Sequence, residues 1–259
     1  MKRRTLLMSG SILPAAFAAQ TVSAETTDNP LTQTDPDFSA IEQYLLKVEM
    51  PKAGHMPVKT RCMVTLAALT TIGGLSRFAE ATEEALKASM STVEIKETLY
   101  QCAPYIGITR VETALEAVNA ALKALGQNPT PASQSTVNES NRFEKGLAVQ
   151  KSIFGAAIDK MHASTPKELE YINKQALTAY CFGDFYTRQG LDLKERELIT
   201  FTAIMCLGGC EPQLRAHTGG NLSVGNTRQD LIDTIMVAMP YIGFPRTLNA
   251  LAVVNEIAK

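Results

Sequence analysis

Of the three histidines in the sequence, only His217 lies within a motif, the stretch EPQLRAHTGGNL. An imidazole can donate or accept a proton near neutral pH. Such a group can therefore act as a general acid or a general base in catalysis. A single histidine on a helix can equally be structural, so the residue type by itself leaves both interpretations of His217 open.

Two cysteines beside this motif offer a different chemistry. Cys206 and Cys210 are four residues apart and flank a Gly-Gly pair. Two cysteines at i and i+4 on a regular helix are poorly placed for a disulfide, although a kink at the glycines would relieve that geometry. The remaining three cysteines are typical of small core residues: Cys62, Cys102 and Cys181.

Composition excludes several classes of protein. The chain has 259 residues, of which 45% are hydrophobic and 20% charged, which is enough for a substantial core and too apolar for a disordered chain. Lys and Arg number 25 against 26 Asp and Glu, and no basic stripe is present, so we expect no nucleic-acid partner. Five cysteines in this length do not make a disulfide-stapled miniprotein.

The N-terminus predicts an export signal over residues 1–24. Three cations, KRR, precede an apolar stretch over 6–19, and VSA at 22–24 supplies a small-residue cleavage site. The two arginines also fit a loose twin-arginine pattern. Because the apolar stretch is too short to span a bilayer comfortably, we expect cleavage, no stable membrane span afterwards, and a location in the bacterial periplasm.

The sequence contains an internal duplication. Pro-Tyr-Ile-Gly occurs at 104–107 and 240–243, and Gly-Gly occurs at 73–74 and 208–209, at nearly the same offset. Each repeat carries one apolar helix, a Gly-Gly turn, an amphipathic helix, a third helix begun by Ser or Thr, and a fourth helix after the Pro-Tyr-Ile-Gly break. Two shared motifs in the same order are not expected by chance among alanine-rich helices.

Helical periodicity runs through nearly the whole chain and predicts an all-α fold. Apolar residues recur at three- and four-residue spacing. Thr92 and Thr227 are placed as N-caps, with acidic residues in the turn that follows each of them. The repeats and the composition together predict a first unit over 25–125, a polar linker over 126–140 and a second unit over 141–259.

Three stretches of the second unit resemble the carboxymuconolactone decarboxylase family: NRFEKGLAVQKSIFG, FGDFYTRQGLDLKERELIT and EPQLRAHTGGNLSVGNTRQDLIDTIMVAMPYIGFPRTLNAL. The first unit resembles the same family more weakly. The resemblance implies a duplicated alkylhydroperoxidase-D-like helical bundle that forms oligomers and uses no metal or organic cofactor. The named enzyme of the family removes CO₂ from a carboxylated muconolactone, whereas a sister branch with the same fold acts as a thiol peroxidase.

The resemblance also assigns roles to individual residues. It implies that His217 is the acid–base group and that Glu197, near the start of the preceding helix, is a relay carboxylate. Helix geometry offsets these two positions by about 9 Å, so Glu197 can also be read as a first-turn acid that favours the helix dipole. Arg188, whose planar fork suits a carboxylate, is the first candidate for substrate binding, with Arg196 and Arg215 as weaker candidates.

Three functions stay open on the sequence. The first is a lyase acting on a small carboxylated, lactone-type substrate through His217. The second is a thiol peroxidase using Cys210 with Cys206. The third is a non-catalytic oligomeric binding module, because the first unit has Ala81 or Thr82 where the second has its histidine. Since the family builds rings of identical subunits, we expect a homotrimer of this two-unit chain with a small-molecule partner.

Overall fold

The computed structural model describes residues 31–259, so the predicted export signal over 1–24 lies outside the described residues. Within residues 31–259, twelve α-helices, numbered α1 to α12 in chain order, span Leu31–Thr34, Pro36–Tyr44, Met50–Ala53, Val58–Ile72, Phe78–Lys87, Thr92–Ile106, Ile108–Ala124, Arg142–Phe154, Ala157–Ser164, Leu193–Leu207, Glu211–Ser223 and Arg228–Ile257. Further helical segments with 3-10 or π hydrogen bonding are Leu45–Glu49, Leu75–Arg77, Lys167–Leu169 and Tyr171–Tyr186. Residues 31–259 contain no strand, which confirms the predicted all-α class.

The chain divides into two compact units, one ending at Glu42 and the other running from Gln43 to Lys259. The described part of the smaller compact unit holds α1 and most of α2. The Asp35 backbone N–H donates to the Leu31 carbonyl at 2.8 Å at the end of α1. The larger compact unit, which begins at Gln43, contains the helices of both sequence repeats. From residue 31 onward, no helix combines the length and the apolar character needed to cross a membrane.

The two repeats fold in the same order of helices. Helices α4 to α7 form the first repeat, and α10 to α12 form the second, because α12 consists of two helical stretches separated by a kink. The kink lies at Gly243, where φ is 73°, and its counterpart Gly107 ends α6 with a φ of 89°. Glycine adopts these positive φ values without strain, so both Pro-Tyr-Ile-Gly motifs end a helix as predicted.

The first helices of the two repeats, α4 and α10, lie in the centre of the larger unit. Val64 and Ala68 on α4 pack in the same apolar cluster as Phe201 on α10 and residues of α12. Ile199 and Ala203 on α10 pack in turn with the apolar side chains of the first repeat. The two repeats therefore share their core, and α10 is buried on all sides from Arg196 to Cys206.

Helices α6 and α12 begin with capping boxes. The Ser91 hydroxyl accepts from the Glu94 backbone N–H at 3.2 Å, and the Thr227 hydroxyl accepts from the Asp230 backbone N–H at 3.1 Å. Each of these two N3 side chains accepts the N-cap backbone N–H in return. The predicted cap at Thr227 is confirmed. The predicted cap at Thr92 is wrong by one residue, because the extended Ser91 supplies the hydroxyl and Thr92 is already helical.

Helix α8 and the helix Tyr171–Tyr186 lie between the two repeats in the sequence. In the structure, their backbones approach each other closely. A Cβ at Gly146 would lie 2.2 Å from the Thr178 carbonyl oxygen, and one at Gly183 would lie 2.2 Å from the Arg142 carbonyl oxygen. Glycine at both positions therefore allows backbone-to-backbone packing. The stretch 127–138, which precedes α8, contains no helix.

Candidate active site

Glu197 and His217 meet in the interior between α10 and α11 (the carboxylate–imidazole pair). His217 Nδ1 lies 2.9 Å from Glu197 Oε2 and 3.2 Å from Oε1. Because an ionised carboxylate can only accept, Nδ1 is the donor. The Glu197 side chain is fully buried and the His217 side chain is 10% exposed. Direct contact between the two side chains therefore bridges the offset of about 9 Å that helix geometry predicts between these positions.

Gly220, on α11, makes room for this carboxylate. A Cβ at Gly220 would lie 2.6 Å from Glu197 Oε2, so any larger residue would push against the carboxylate. The next residue, Asn221, joins α11 to α10, because its Nδ2 donates to the backbone oxygens of Glu197 at 3.0 Å and His217 at 2.7 Å. Packing and hydrogen bonding therefore fix the pair in position.

Two tyrosines extend the pair into a hydrogen-bond chain. Tyr186 donates its hydroxyl proton to Glu197 Oε1 at 2.7 Å, and the Tyr105 hydroxyl lies 2.8 Å from that of Tyr186. Since Tyr186 gives its single proton to the carboxylate, Tyr105 donates to Tyr186. The Cys181 thiol lies 3.5 Å from the Tyr105 hydroxyl. Burial raises the pKa of both tyrosines well above the ordinary value, so both keep their protons.

Aromatic rings enclose the imidazole. The rings of Tyr105 and Phe154 each stand edge-on to His217, with centroids 5.3 Å away and planes at 90°. Between residues 31 and 259, His217 Nε2 has no hydrogen-bond partner, whereas Nδ1 is held by Glu197. The arrangement thus presents one imidazole nitrogen for proton exchange and holds the other on a buried carboxylate.

Arg196 lies in the interior, away from any surface that a substrate could reach. Its side chain is 0% exposed and donates to Glu97 Oε2 at 3.1 Å, to Gln101 Oε1 at 3.0 Å and to the carbonyls of Arg188 and Gln189. Burial lowers the pKa of Arg196, although Glu97 supplies a countercharge. A substrate carboxylate cannot contact this guanidinium, and the predicted substrate-binding role of Arg196 is corrected accordingly.

The other two candidate arginines also pair with acidic residues. Arg188 Nη2 donates to Glu97 Oε1 at 2.8 Å, and Arg215 Nε donates to Glu256 Oε2 at 2.9 Å on the surface. Neither arginine is bonded to a member of the carboxylate–imidazole pair. The predicted acid–base residues are therefore brought together, whereas the predicted arginines are not brought to them.

The two candidate redox residues differ in their surroundings. All five cysteines are unpaired. Cys206 is buried in α10, and burial raises its pKa, which disfavours the thiolate needed for attack on a peroxide. Cys210 is partly exposed in the turn between α10 and α11, with its Sγ 3.5 Å from the Gly208 carbonyl oxygen.

Sequence reasoning missed four residues of this site: Tyr105, Tyr186, Gly220 and Asn221. A signal existed for Tyr105, since it lies in the Pro-Tyr-Ile-Gly motif that both repeats share. Tyr186 lies in FGDFYTRQGLDLKERELIT, one of the stretches that carry the family resemblance, but it comes from a helix outside the repeats and has no counterpart in the first repeat. The small size required at Gly220 depends on a carboxylate of another helix, which the sequence around Gly220 does not contain.

A model of the carboxymuconolactone decarboxylase family matches residues 36–120 and 173–256, once in each repeat. The chain is 26% identical over 129 residues to 4-carboxymuconolactone decarboxylase of Acinetobacter baylyi, covering 48% of this chain and 91% of that protein. It is 25% identical over 126 residues to nitrosuccinic acid decarboxylase of Metarhizium robertsii, covering 48% and 87%. It is also 35% identical over 77 residues to an uncharacterised 15.0 kDa protein of Paracoccus denitrificans, covering 29% and 58%.

Proposed function

The chain belongs to the carboxymuconolactone decarboxylase family, and we propose that it removes CO₂ from a small carboxylated, lactone-type substrate by proton transfer at His217. The observation that carries the proposal is the 2.9 Å hydrogen bond between His217 Nδ1 and Glu197 Oε2. The relatives from Acinetobacter and Metarhizium are both named as decarboxylases of small acids, which supports the class of reaction.

In the proposed reaction, the bond between the substrate carbon and its carboxylate breaks and CO₂ leaves. The electron pair of that bond stays on the carbon and is delocalised into an adjacent carbonyl group. His217, in its imidazolium form, then transfers its Nε2 proton to the carbon. Glu197 stabilises the imidazolium before the transfer and orients the ring through Nδ1. Solvent returns the proton to His217 after the product leaves.

Tyr186 and Tyr105 are positioning residues in this proposal. Tyr186 bonds the Glu197 oxygen Oε1 at 2.7 Å, which holds the carboxylate toward the imidazole. Tyr105 bonds Tyr186 and packs against the His217 ring. Preorganised polar groups of this kind favour charged states in a site from which water is largely excluded.

Release of CO₂ from a panel of small carboxylated lactones and nitro acids tests the proposal. His217→Ala should lower turnover by about 10²–10⁴-fold, the usual contribution of a general acid–base group, while cooperative unfolding is retained. His55→Ala, which changes an exposed histidine before α4, is the matched control and should leave turnover unchanged. Full turnover in His217→Ala would end the proposal.

A thiol peroxidase using Cys210 with Cys206 is the second candidate, and the partial exposure of Cys210 favours it. Cys210→Ser separates the two functions, because a peroxidase would lose reduction of hydroperoxides while the proposed lyase would keep its turnover. The buried position of Cys206 counts against this candidate. If the wild-type chain turns over neither class of substrate, a non-catalytic oligomeric binding module is the remaining candidate.

We further propose that the mature chain is a homotrimer in the bacterial periplasm. The sequence of residues 1–24 supports export, and N-terminal sequencing of protein recovered from a periplasm tests it. Large exposed apolar side chains, which a neighbouring chain would cover, support an oligomer: Tyr171, Ile172, Phe244 and Leu248. Light scattering that gives the mass of a single chain at micromolar concentration would contradict the trimer.

A further inference from the structure

A polar cleft of about 340 Å³ is lined by α6, α7, Arg188 and the loop over 129–134. Neither residue of the carboxylate–imidazole pair lines this cleft. Its volume falls in the range of small-molecule sites, and its position beside the loop between the repeats makes it a feature of the duplicated chain.

Lys96 is a buried ammonium without a carboxylate partner. The residue is 5% exposed, and within residues 31–259 no carboxylate oxygen lies within 4.0 Å of its Nζ. Its hydrogen-bond partner is Asn119 Oδ1 on α7. An ammonium has three donors, so two N–H groups remain for another acceptor. Burial lowers the pKa of Lys96, as expected for a desolvated cation without a counterion.

The neighbouring charges leave an excess of positive charge. Glu97 accepts hydrogen bonds from both Arg188 and Arg196, so one carboxylate faces two guanidinium groups. With Lys96 included, these four side chains carry two more positive than negative charges. Three of them line the cleft itself, the two cations Lys96 and Arg188 and the carboxylate Glu97. The lining therefore keeps an excess of one positive charge, which a bound anion would offset.

We propose that this cleft binds a small oxyanion, a carboxylate or a phosphate, between Lys96 and Arg188. The two remaining N–H groups of Lys96 donate to its oxygens, and the charge-assisted bonds are strengthened by the low exposure of the ammonium. The Arg188 guanidinium lies 5.3 Å from the centroid of the Tyr100 ring, and this ring also lines the cleft and gives an apolar surface for the carbon skeleton of the ligand.

Binding of succinate and of phosphate to the purified mature chain tests this site. Titration calorimetry, together with thermal unfolding against chloride of equal ionic strength, should detect binding of at least one of the two anions. The anion whose binding depends more strongly on Lys96 shows whether the site prefers a carboxylate or a phosphate. Absence of binding and of any thermal shift with both anions at millimolar concentration would overturn the proposal.

Lys96→Met should weaken binding by roughly 30-fold or more, the equivalent of the smaller measured losses when one partner of a buried charge pair is removed. Its unfolding temperature without anion should not fall, because the variant removes a buried charge that lacks a counterion. Lys123→Met, which changes an exposed lysine of α7, is the matched control and should bind like the wild type. Equal binding in Lys96→Met and the wild type would assign the signal to non-specific anion effects and overturn the proposal.

Asn119→Asp keeps the lysine and tests the site in a second way. The new carboxylate would pair with Lys96, neutralise the charge of the ammonium and repel a second anion, so binding of the anion should be lost while the fold is retained. This variant decides the question even if Lys96→Met fails to fold. Undiminished anion binding in Asn119→Asp would show that Lys96 is not the anion-binding group.

Discussion

The helix pair α10–α11 of the second repeat and the pair α4–α5 of the first have the same arrangement and different chemistry. Their buried residues correspond along the second helix of each pair: Phe78 with Leu214, Ala81 with His217 and Thr82 with Thr218. On α4, Cys62 occupies the place that Glu197 has on α10. The first repeat thus has a thiol and a methyl group where the second has a carboxylate and an imidazole.

The space between the helices differs accordingly. In the first repeat, Cys62 and Ala81 line a cavity of about 490 Å³ together with Tyr241. Glu84, which has the position of Gly220, also lines it. Burial and the charge of Glu84 raise the pKa of Cys62. The carboxylate of the first repeat, Glu84, is therefore on α5. That of the second repeat, Glu197, is on α10, and Gly220 of α11 makes room for it.

The repeats also exchange a tyrosine. Tyr105 of the first repeat packs against His217 of the second, and the equivalent Tyr241 of the second lines the cavity of the first. Each site is therefore completed by the other repeat. The order of helices is therefore common to the two repeats, while the side chains at two positions give a carboxylate–imidazole pair in the second repeat and none in the first.

The largest expected effect comes from neutralising the carboxylate of the second repeat. Glu197→Gln should lower turnover by about 10²–10⁴-fold, because the imidazolium loses the charge that stabilises it. The double variant Glu197→Gln/His217→Ala should be no slower than the single variants, since the two residues act as one unit. Cys62→Ala, the matching change in the first repeat, should leave steady-state release of CO₂ unchanged.

Transplanting the histidine alone should restore nothing. Ala81→His added to His217→Ala places an imidazole at the equivalent position of α5, but α4 offers Cys62 in place of a carboxylate. Recovered turnover in this double variant would show that the carboxylate is dispensable and would remove the distinction drawn between the repeats.

How much of the fold and of the candidate site could be predicted from the sequence depends on whether a residue's partners are near it in the chain. The repeats and the helix ends at Gly107 and Gly243 follow from motifs and their spacing. The roles of Glu197 and His217 follow instead from the family resemblance, since helix geometry alone offsets the two positions by about 9 Å. Arg196 could not be placed, because a charged residue in a first helical turn is normally solvated. Its side-chain partners, Glu97 and Gln101, come from α6 of the other repeat, and helical periodicity carries no information on contacts between repeats.

The next largest effect concerns the room that α11 leaves for the carboxylate. Gly220→Ala puts a Cβ 2.6 Å from Glu197 Oε2, so we expect a loss of about 1–3 kcal/mol in the free energy of unfolding, as for overpacked interiors, and a lower turnover. Gly219→Ala is the control, because its Cβ would meet nothing within 4 Å. That variant should gain up to about 1 kcal/mol from helix propensity. Urea denaturation measures both, and equal stability of the two variants would contradict the steric role of Gly220.

A smaller effect separates the equivalent threonines. Thr82 and Thr218 are both fully buried, yet the Thr218 hydroxyl donates to the Leu214 carbonyl at 2.8 Å, whereas within the described chain the Thr82 hydroxyl has no partner. Thr82→Val should therefore raise the free energy of unfolding by about 1 kcal/mol, since it removes a buried unsatisfied group. Thr218→Val should give no gain, and a gain of equal size there would show that the hydrogen bond makes no difference.

The smallest effect is the pH dependence of stability that arises from Glu84 of the first repeat. Burial and the neighbouring Glu80 raise the pKa of Glu84 above its ordinary value. The folded state then holds this proton more tightly than the unfolded chain, so stability is lost as pH rises from the ordinary carboxyl pKa through the raised one.

Glu84→Gln cannot ionise, so its free energy of unfolding should equal that of the wild type in acid and exceed it near neutral pH. The gain should be small because the side chain is partly exposed. Urea denaturation over this pH range measures it, with Glu116→Gln at an exposed position of α7 as the control, and a gain independent of pH would show that the Glu84 charge is not its cause.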